Sequence, residues 1–140
     1  MGAARFDNPP DDVIRDILAS PRTVAVVGCS SDPSRDSHRI ARLLQQRGHR
    51  VIPVNPNETG VLGERCYPSL RDVPEPVEMV DVFRRPEFVA GVVDEAIAVR
   101  ANVLWLQLGV IDVAAALRAR AAGMTVVMDR CPAIEYRRLF

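Results

Sequence analysis

Between Thr23 and Ser37 the chain changes character several times within one short stretch. Thr23-Val24-Ala25-Val26-Val27 is a continuous apolar, largely β-branched run, Gly28 breaks it, Cys29-Ser30-Ser31 are small, and a helical period starts near Asp36. A run without polar alternation suits a central strand buried on both faces. Strand, tight loop and helix N-terminus in that order turn backbone N–H groups toward one spot where an anion can sit. The same residues also fit a plain tight turn with hydroxyl caps. Both readings commit the chain to a strand-to-helix crossover, and so to a layered fold.

The rest of the chain repeats that rhythm. Pro9-Pro10-Asp11-Asp12 followed by Val13, Ile14, Ile17 and Leu18 predicts a short amphipathic helix with acids in its first turn, behind a loosely held tail before Asn8. Apolar strands are expected at 23–27, 50–54, 78–84, 103–107 and 125–128. Helices are expected at about 36–47, from Pro86 to about Arg100, at 112–122, and near 133–139. In the helix after Pro86, the period turns Phe88, Val89, Val92, Val93, Ala96 and Ile97 inward. A short turn fits Ser69–Val73. Alternation with short connections predicts an α/β fold: a single Rossmann-like domain, with a five-stranded parallel sheet in the order 3-2-1-4-5 and helices on both faces. Residues 1–21 then form the tail and first helix, and residues 22–140 form the domain. A ligand would lie beyond the carboxyl ends of the strands, near the switch point between strands one and four.

Composition removes several functions. All 18 basic residues are arginine, because the sequence contains no lysine. A Schiff-base lysine, a lysine general base and a P-loop G-K-[ST] are therefore excluded, and any phosphate must be held by backbone N–H groups and arginine forks. The 18 acids balance the charge to zero, so no nucleic-acid or anionic-membrane footprint is expected. Cys29, Cys66 and Cys131 are odd in number and widely spaced, which gives neither a disulfide framework nor a zinc pattern. A reducing, cytoplasmic location is the expectation. Met1–Asp7 has no apolar segment of a signal peptide, and Gly2 does not open an acylation motif.

Candidate site residues stand at the strand ends. After strand one come Gly28, Cys29, Ser30 and Ser31, with Arg35 and Ser37 leading into the helix. After strand two, Pro53, Val54, Asn55 and Pro56 make a stiff ledge suited to an adenine ring or simply to a turn. A dinucleotide site for NAD usually has an acid there, and Asn55 is not one. After strand three, Phe83, Arg84, Arg85 and Pro86 form either a phosphate clamp or a solvated surface pair. Gln107 and Gly109 after strand four offer an amide and a close backbone approach. Asp129 and Arg130 read as a structural ion pair. His38 and His49 read as surface residues, and Cys29 has no evident base partner.

In combination, Gly28-Cys29-Ser30 with Pro33 and Arg35-Asp36-Ser37, Val51–Pro56, Leu62-Gly63, Phe83–Pro86, Trp105–Gly109 and Val127–Cys131 resemble the small stand-alone CoA-binding domain proteins. Those are similar in turn to the N-terminal domain of the succinyl-CoA synthetase alpha subunit. The resemblance runs from about Arg22 to the end. It implies coenzyme A as ligand, with Gly28, Ser30, Ser31 and Arg35 along its phosphates. Pro53–Pro56 would lie at adenine and ribose, Phe83, Arg84 and Pro86 opposite them, and Gln107 and Gly109 toward the pantetheine arm. The synthetases' phosphorylated histidine lies on a second domain with no counterpart here, so the resemblance implies binding of CoA or an acyl-CoA without catalysis. The other readings are an NADP-binding oxidoreductase-like domain and an acyl-CoA-sensing subunit of a partner enzyme. Self-association is left open.

Overall fold

The computed structural model describes residues 4–140, so the expectation about acylation at Gly2 lies outside the described residues, as does the start of the segment weighed as a leader. In chain order the elements are α1 (Asp11–Ala19), β1 (Thr23–Val27), α2 (Asp36–Gln46), β2 (Arg50–Val54), β3 (Gly60–Val61), β4 (Glu64–Arg65), β5 (Met79–Val82), α3 (Val89–Ala98), β6 (Val103–Leu106), α4 (Val113–Ala121), β7 (Thr125–Met128) and α5 (Pro132–Leu139). Single 3-10 turns occupy Leu70–Asp72 and Pro86–Phe88. The first of these meets the expected turn, and β3 with β4 is a small hairpin that the Gly-punctuated sequence had concealed.

Five parallel strands form the sheet in the spatial order β2-β1-β5-β6-β7. The segment around Met79 therefore lies beside β1, and the expectation that it stands outside β2 is corrected. Its four residues are all buried and pair with β1 on one side and β6 on the other. The arrangement remains Rossmann-like. The place outside β2 is taken by a single parallel bridge between Val54 and Tyr67, in which the Tyr67 N–H donates to the Pro53 carbonyl and the Asn55 N–H to that of Tyr67. With this bridge counted as a sixth strand, the order reads 3-2-1-4-5-6, and the Rossmann-like 3-2-1-4-5 arrangement is contained in it. Pro56, Gly60, Gly63 and Pro68 keep the bridge from lengthening into a ladder.

Each face of the sheet is covered. On one side Ala25, Val80, Val82, Leu104 and Val126 pack against α3 and α4. On the other, Val24, Val26, Met79, Trp105 and Val127 pack against α1, α2 and α5. Trp105 is fully buried, and its indole N–H donates to the Arg130 carbonyl at 2.9 Å. Removal of such a side chain costs about 3–5 kcal/mol. α1 joins this core through Ile14, Ile17 and Leu18 and is clamped to α5 by a bidentate Arg138–Asp11 pair. Arg138 also pairs with the buried Glu135, which takes Arg130 as a second partner. Arg130 is thus not bound to the Asp129 carboxylate, as the sequence had suggested.

Two further expectations change. His49 is buried, accepting from the Arg22 N–H at Nδ1 and meeting the Tyr136 hydroxyl at Nε2, 2.9 Å away. That hydroxyl in turn donates to the Leu18 carbonyl. This places the ring proton on Nε2, and burial pushes the imidazole below its ordinary pKa. The tail is also not loose over its described part near β7. The Asn8 amide donates to the Met128 carbonyl and accepts from the Met128 N–H, at 2.9 and 2.7 Å, as a neighbouring strand would. Arg120 holds the Asp7 carbonyl and covers the Phe6 ring.

Candidate functional site

The carboxyl ends of β1, β2 and β5 meet at Gly28. Its N–H donates to the Val54 carbonyl at 2.8 Å, and its φ is +86°. A Cβ added there would stand 2.2 Å from the Phe83 carbonyl oxygen, so the close approach of two main chains, as well as the turn, demands glycine. The new strand order has a direct consequence here: it brings Phe83 and Arg84 to the switch point instead of the far edge.

Three cavities lie side by side around this junction. The middle one, of about 590 Å³, is polar and takes in Gly28, Ser30, Arg35, Ser37, Asn55 and Phe83. α2 begins at it with no side-chain cap, leaving the N–H groups of its first turn without a partner inside the helix. On one flank, a cavity of about 240 Å³ is bounded by Val27, Val54, Pro56, Arg84 and Phe88. The Arg84 guanidinium lies 4.5 Å from the centre of the Phe88 ring, a cation–π contact at the mouth. On the other flank, a third cavity of about 390 Å³ shares Asp36, Arg39 and Phe83 with the middle one and adds Ile40, Gln107 and Cys131.

The loop after β1 differs in detail from a nest of open amides. The Ser30 N–H donates to Ser37 Oγ at 3.0 Å, the Asp32 N–H to Ser30 Oγ, and the Ser31 N–H to the Glu58 carboxylate. Ser31, through its hydroxyl first and its N–H second, holds Glu58 below the usual carboxylate range. His38, half-buried instead of a bare surface residue, ties its Nδ1 to the Ser30 carbonyl at 2.9 Å. The open donors are thus those of the α2 N-terminus, one step beyond the loop.

Asn55 acts as a brace. Its Nδ2 donates to the Cys29 carbonyl at 3.0 Å and its Oδ1 accepts from the Asn57 N–H at 2.9 Å. An aspartate could not make the first of these bonds, which gives a structural reason for the amide where an NAD site has an acid. Cys29 is fully buried, and desolvation, aided by the nearby Cys66 and Asp81, pushes its thiol up to about 12. Its side chain faces the core and does not line the site.

Of the other expected residues, Pro53 is buried within β2 and Ser31 is exposed on the loop rim. Arg85 and Pro86 are exposed at the start of the 3-10 turn and border none of the three cavities. Gly109 donates its N–H to the Asp129 carboxylate at 2.8 Å, closing the β6–α4 loop onto the end of β7. Gln107 is buried against Asp81, with Nε2 donating to Oδ1 at 2.6 Å. Asp81 is itself wholly buried, its other oxygen has no partner, and desolvation pushes it up to about 7.

Sequence reasoning missed Phe88, Arg39, Asp81 and the placement of Cys131. Phe88 was expected in the core, but Pro86 opens a 3-10 turn, whose tighter winding rotates the ring outward to 44% exposure. An acid inside the apolar run Met79-Val80-Asp81-Val82 was the available signal for Asp81. Among the described residues, no group of His, Cys, Asp and Glu could hold a metal ion, and no helix is long and apolar enough to cross a membrane.

Residues 22–137 match the family model for the CoA binding domain. The chain belongs to this CoA-binding domain family. It is 38% identical over 126 residues to the uncharacterized protein YneT of Bacillus subtilis, a match spanning 90% of this chain and 93% of that one. It is 36% identical over 93 residues to the ADP-forming acetate–CoA ligase II of Archaeoglobus fulgidus; this covers 65% of the chain but only 14% of the ligase. The family's domain thus occurs as a small protein and as part of larger enzymes. Among solved structures, a hypothetical protein from Pyrococcus horikoshii OT3 superimposes with a TM-score of 0.91 at 38% identity over 99% of both chains.

Proposed function

We propose that this protein binds coenzyme A, or an acyl-CoA, at the carboxyl edge of β1, β2 and β5, and that it catalyses no reaction on its own. The observation that carries this reading is the row of three cavities, a polar one between two flanks with apolar walls. Coenzyme A has the same sequence of parts: a base, a diphosphate and a long amide-bearing arm. The diphosphate suits the middle cavity, where the uncapped α2 N-terminus and Arg35 supply partial and full positive charge. The base suits the flank between Pro56 and the Arg84–Phe88 stack. The arm suits the flank toward Gln107. Membership in the CoA-binding domain family supports the choice of ligand.

An NADP-binding domain is the other reading that an arginine-rich, three-part site favours. A thermal-shift panel of CoA, NAD, NADP and ATP separates the two, since a ligand that binds only the folded state raises its stability. Stabilisation by CoA is expected; stabilisation by NADP without CoA would reverse the assignment. Arg84→Ala is expected to weaken CoA binding by about 10- to 150-fold, the equivalent of one charge-assisted contact of about 1.5–3 kcal/mol. The melting temperature of the free protein should barely move, because Arg84 makes only the surface stack on Phe88. Calorimetry with undiminished affinity would remove Arg84 from the site. Partner-enzyme sensing would appear as a co-purifying protein released by CoA.

A further inference from the structure

The third cavity holds a feature that binding alone does not use. Cys131 lies at its wall, one residue ahead of α5 and only partly buried, whereas Cys29 and Cys66 are both buried in the core. The same cavity is lined by Gln107, 5% exposed, whose one side-chain hydrogen bond runs from Nε2 to Asp81. That bond fixes the amide and leaves Oε1 as an acceptor without a protein partner, in a cavity walled by Ile40, Phe83, Leu108 and Val110, with the charged side chains of Asp36 and Arg39 also on its lining. An oriented acceptor beside these apolar walls suits a ligand segment that brings a donor N–H. The chamber opens into the polar middle cavity through their shared residues Asp36, Arg39 and Phe83. A molecule anchored there by its diphosphate would lay its amide-bearing arm past Gln107 and bring the thiol at its end to Cys131.

We propose that this cavity is a thiol chamber, in which Cys131 exchanges with the disulfide form of a pantetheine-type thiol to give a mixed disulfide between protein and ligand. The inference rests on the CoA-binding reading above. The Cys131 sulfur, as thiolate, attacks one sulfur of the ligand's disulfide. The Cys131–ligand S–S bond forms and the ligand's own S–S bond breaks. The departing sulfur leaves as a thiolate and takes up the proton that Cys131 gave up. Cys131 is oxidised, the departing thiol is reduced, and no further oxidant is needed. Attack by excess thiol reverses the step.

The test has two arms on the full chain. Calorimetry with CoA in the presence of reductant measures binding by itself. Mass spectrometry after incubation with CoA disulfide, with glutathione disulfide as control, measures exchange and its position. Because a held arm raises the local concentration of the reacting sulfur, CoA disulfide should label Cys131 about tenfold faster than glutathione disulfide, or more. A CoA analogue lacking the thiol should suppress the label, dithiothreitol should remove it, and Cys131→Ser should not acquire it. CoA binding without labelling, labelling at Cys29 or Cys66, or equal rates with both disulfides overturns the thiol chamber and leaves the binding reading intact. Failure of CoA to bind in the first arm overturns that reading itself.

Discussion

Replacing Asp81 with Asn and following stability from pH 5 to pH 8 isolates the energetic effect of one buried carboxyl. In the folded protein Asp81 is wholly buried and desolvation pushes it up to about 7, against 3.8 for the ordinary side chain; the bond from Gln107 offsets only part of this. Each tenfold change in proton affinity is worth about 1.4 kcal/mol, so the difference of roughly three powers of ten amounts to about 4 kcal/mol. The folded state holds this proton more tightly than the unfolded chain does. The stability that Asp81 contributes is therefore fully present below pH 3.8, falls as the pH rises, and is lost once the pH passes about 7. Asparagine keeps an acceptor for Gln107 but places an unpartnered N–H₂ where the free oxygen was, at a cost of about 1–3 kcal/mol that does not vary with pH. Relative to the variant, the wild type should lose about 2.6 kcal/mol between pH 5 and pH 8 and should be the less stable protein at pH 8. Urea unfolding reads this directly: between pH 5 and pH 8 the change is about 2.6 kcal/mol, so with a slope near 2 kcal/mol per molar the wild-type midpoint should fall by about 1.3 M. His49 is present in both proteins, and its effect cancels in the comparison. Parallel curves for wild type and variant would refute the assignment of a protonated, buried Asp81.

Gly28→Ala combines a positive φ, worth about 1–2 kcal/mol, with a clash against the Phe83 carbonyl of about 1–3 kcal/mol. A loss of about 2–5 kcal/mol in chemical denaturation is expected, and a variant as stable as the wild type would contradict the close approach. His49 lies below its ordinary 6.5, so its contribution is present above that pH and is lost as the pH falls through the folded-state value. Protonation also removes the acceptor for the Arg22 N–H, so mild acid should lower the protection factor of that amide relative to its intrinsic exchange rate, as hydrogen-exchange NMR would show. Asn8→Ala should cost about 1–3 kcal/mol by leaving both Met128 backbone groups unpaired, and the melting temperature is the readout.

The sheet and its covering helices were legible because apolar runs, the glycines after α2 and α4 and the prolines before the 3-10 turn and in α5 all agree locally. Gly28, Arg35 and Ser37 were also legible, since strand–glycine–helix order alone draws them together. What escaped depended on pairing across the chain. The neighbour of β1 is a matter of pairing between segments far apart in the chain, and that pairing brings Arg84 to the switch point. Asn55 could be read as a missing acid, but its service to the Cys29 carbonyl depends on the β1–β2 register. Cys131 could not be linked to Gln107, because their proximity arises only when β6 and β7 end side by side. Phe88 failed for a local reason, the change of winding at Pro86.

The Asn8 side chain and the Tyr67 bridge have a joint consequence for assembly. Open sheet edges invite strand addition from another molecule. Here the outer side of β2 is engaged by Tyr67, and Asn8 takes up the Met128 hydrogen-bonding groups at the end of β7. A second copy has no long ladder to extend where these plugs sit, and cross-β stacking through native edges is obstructed there. Self-association that leaves both plugs in place would draw on helix and loop surfaces such as those around Leu108, Ile111 and Phe140.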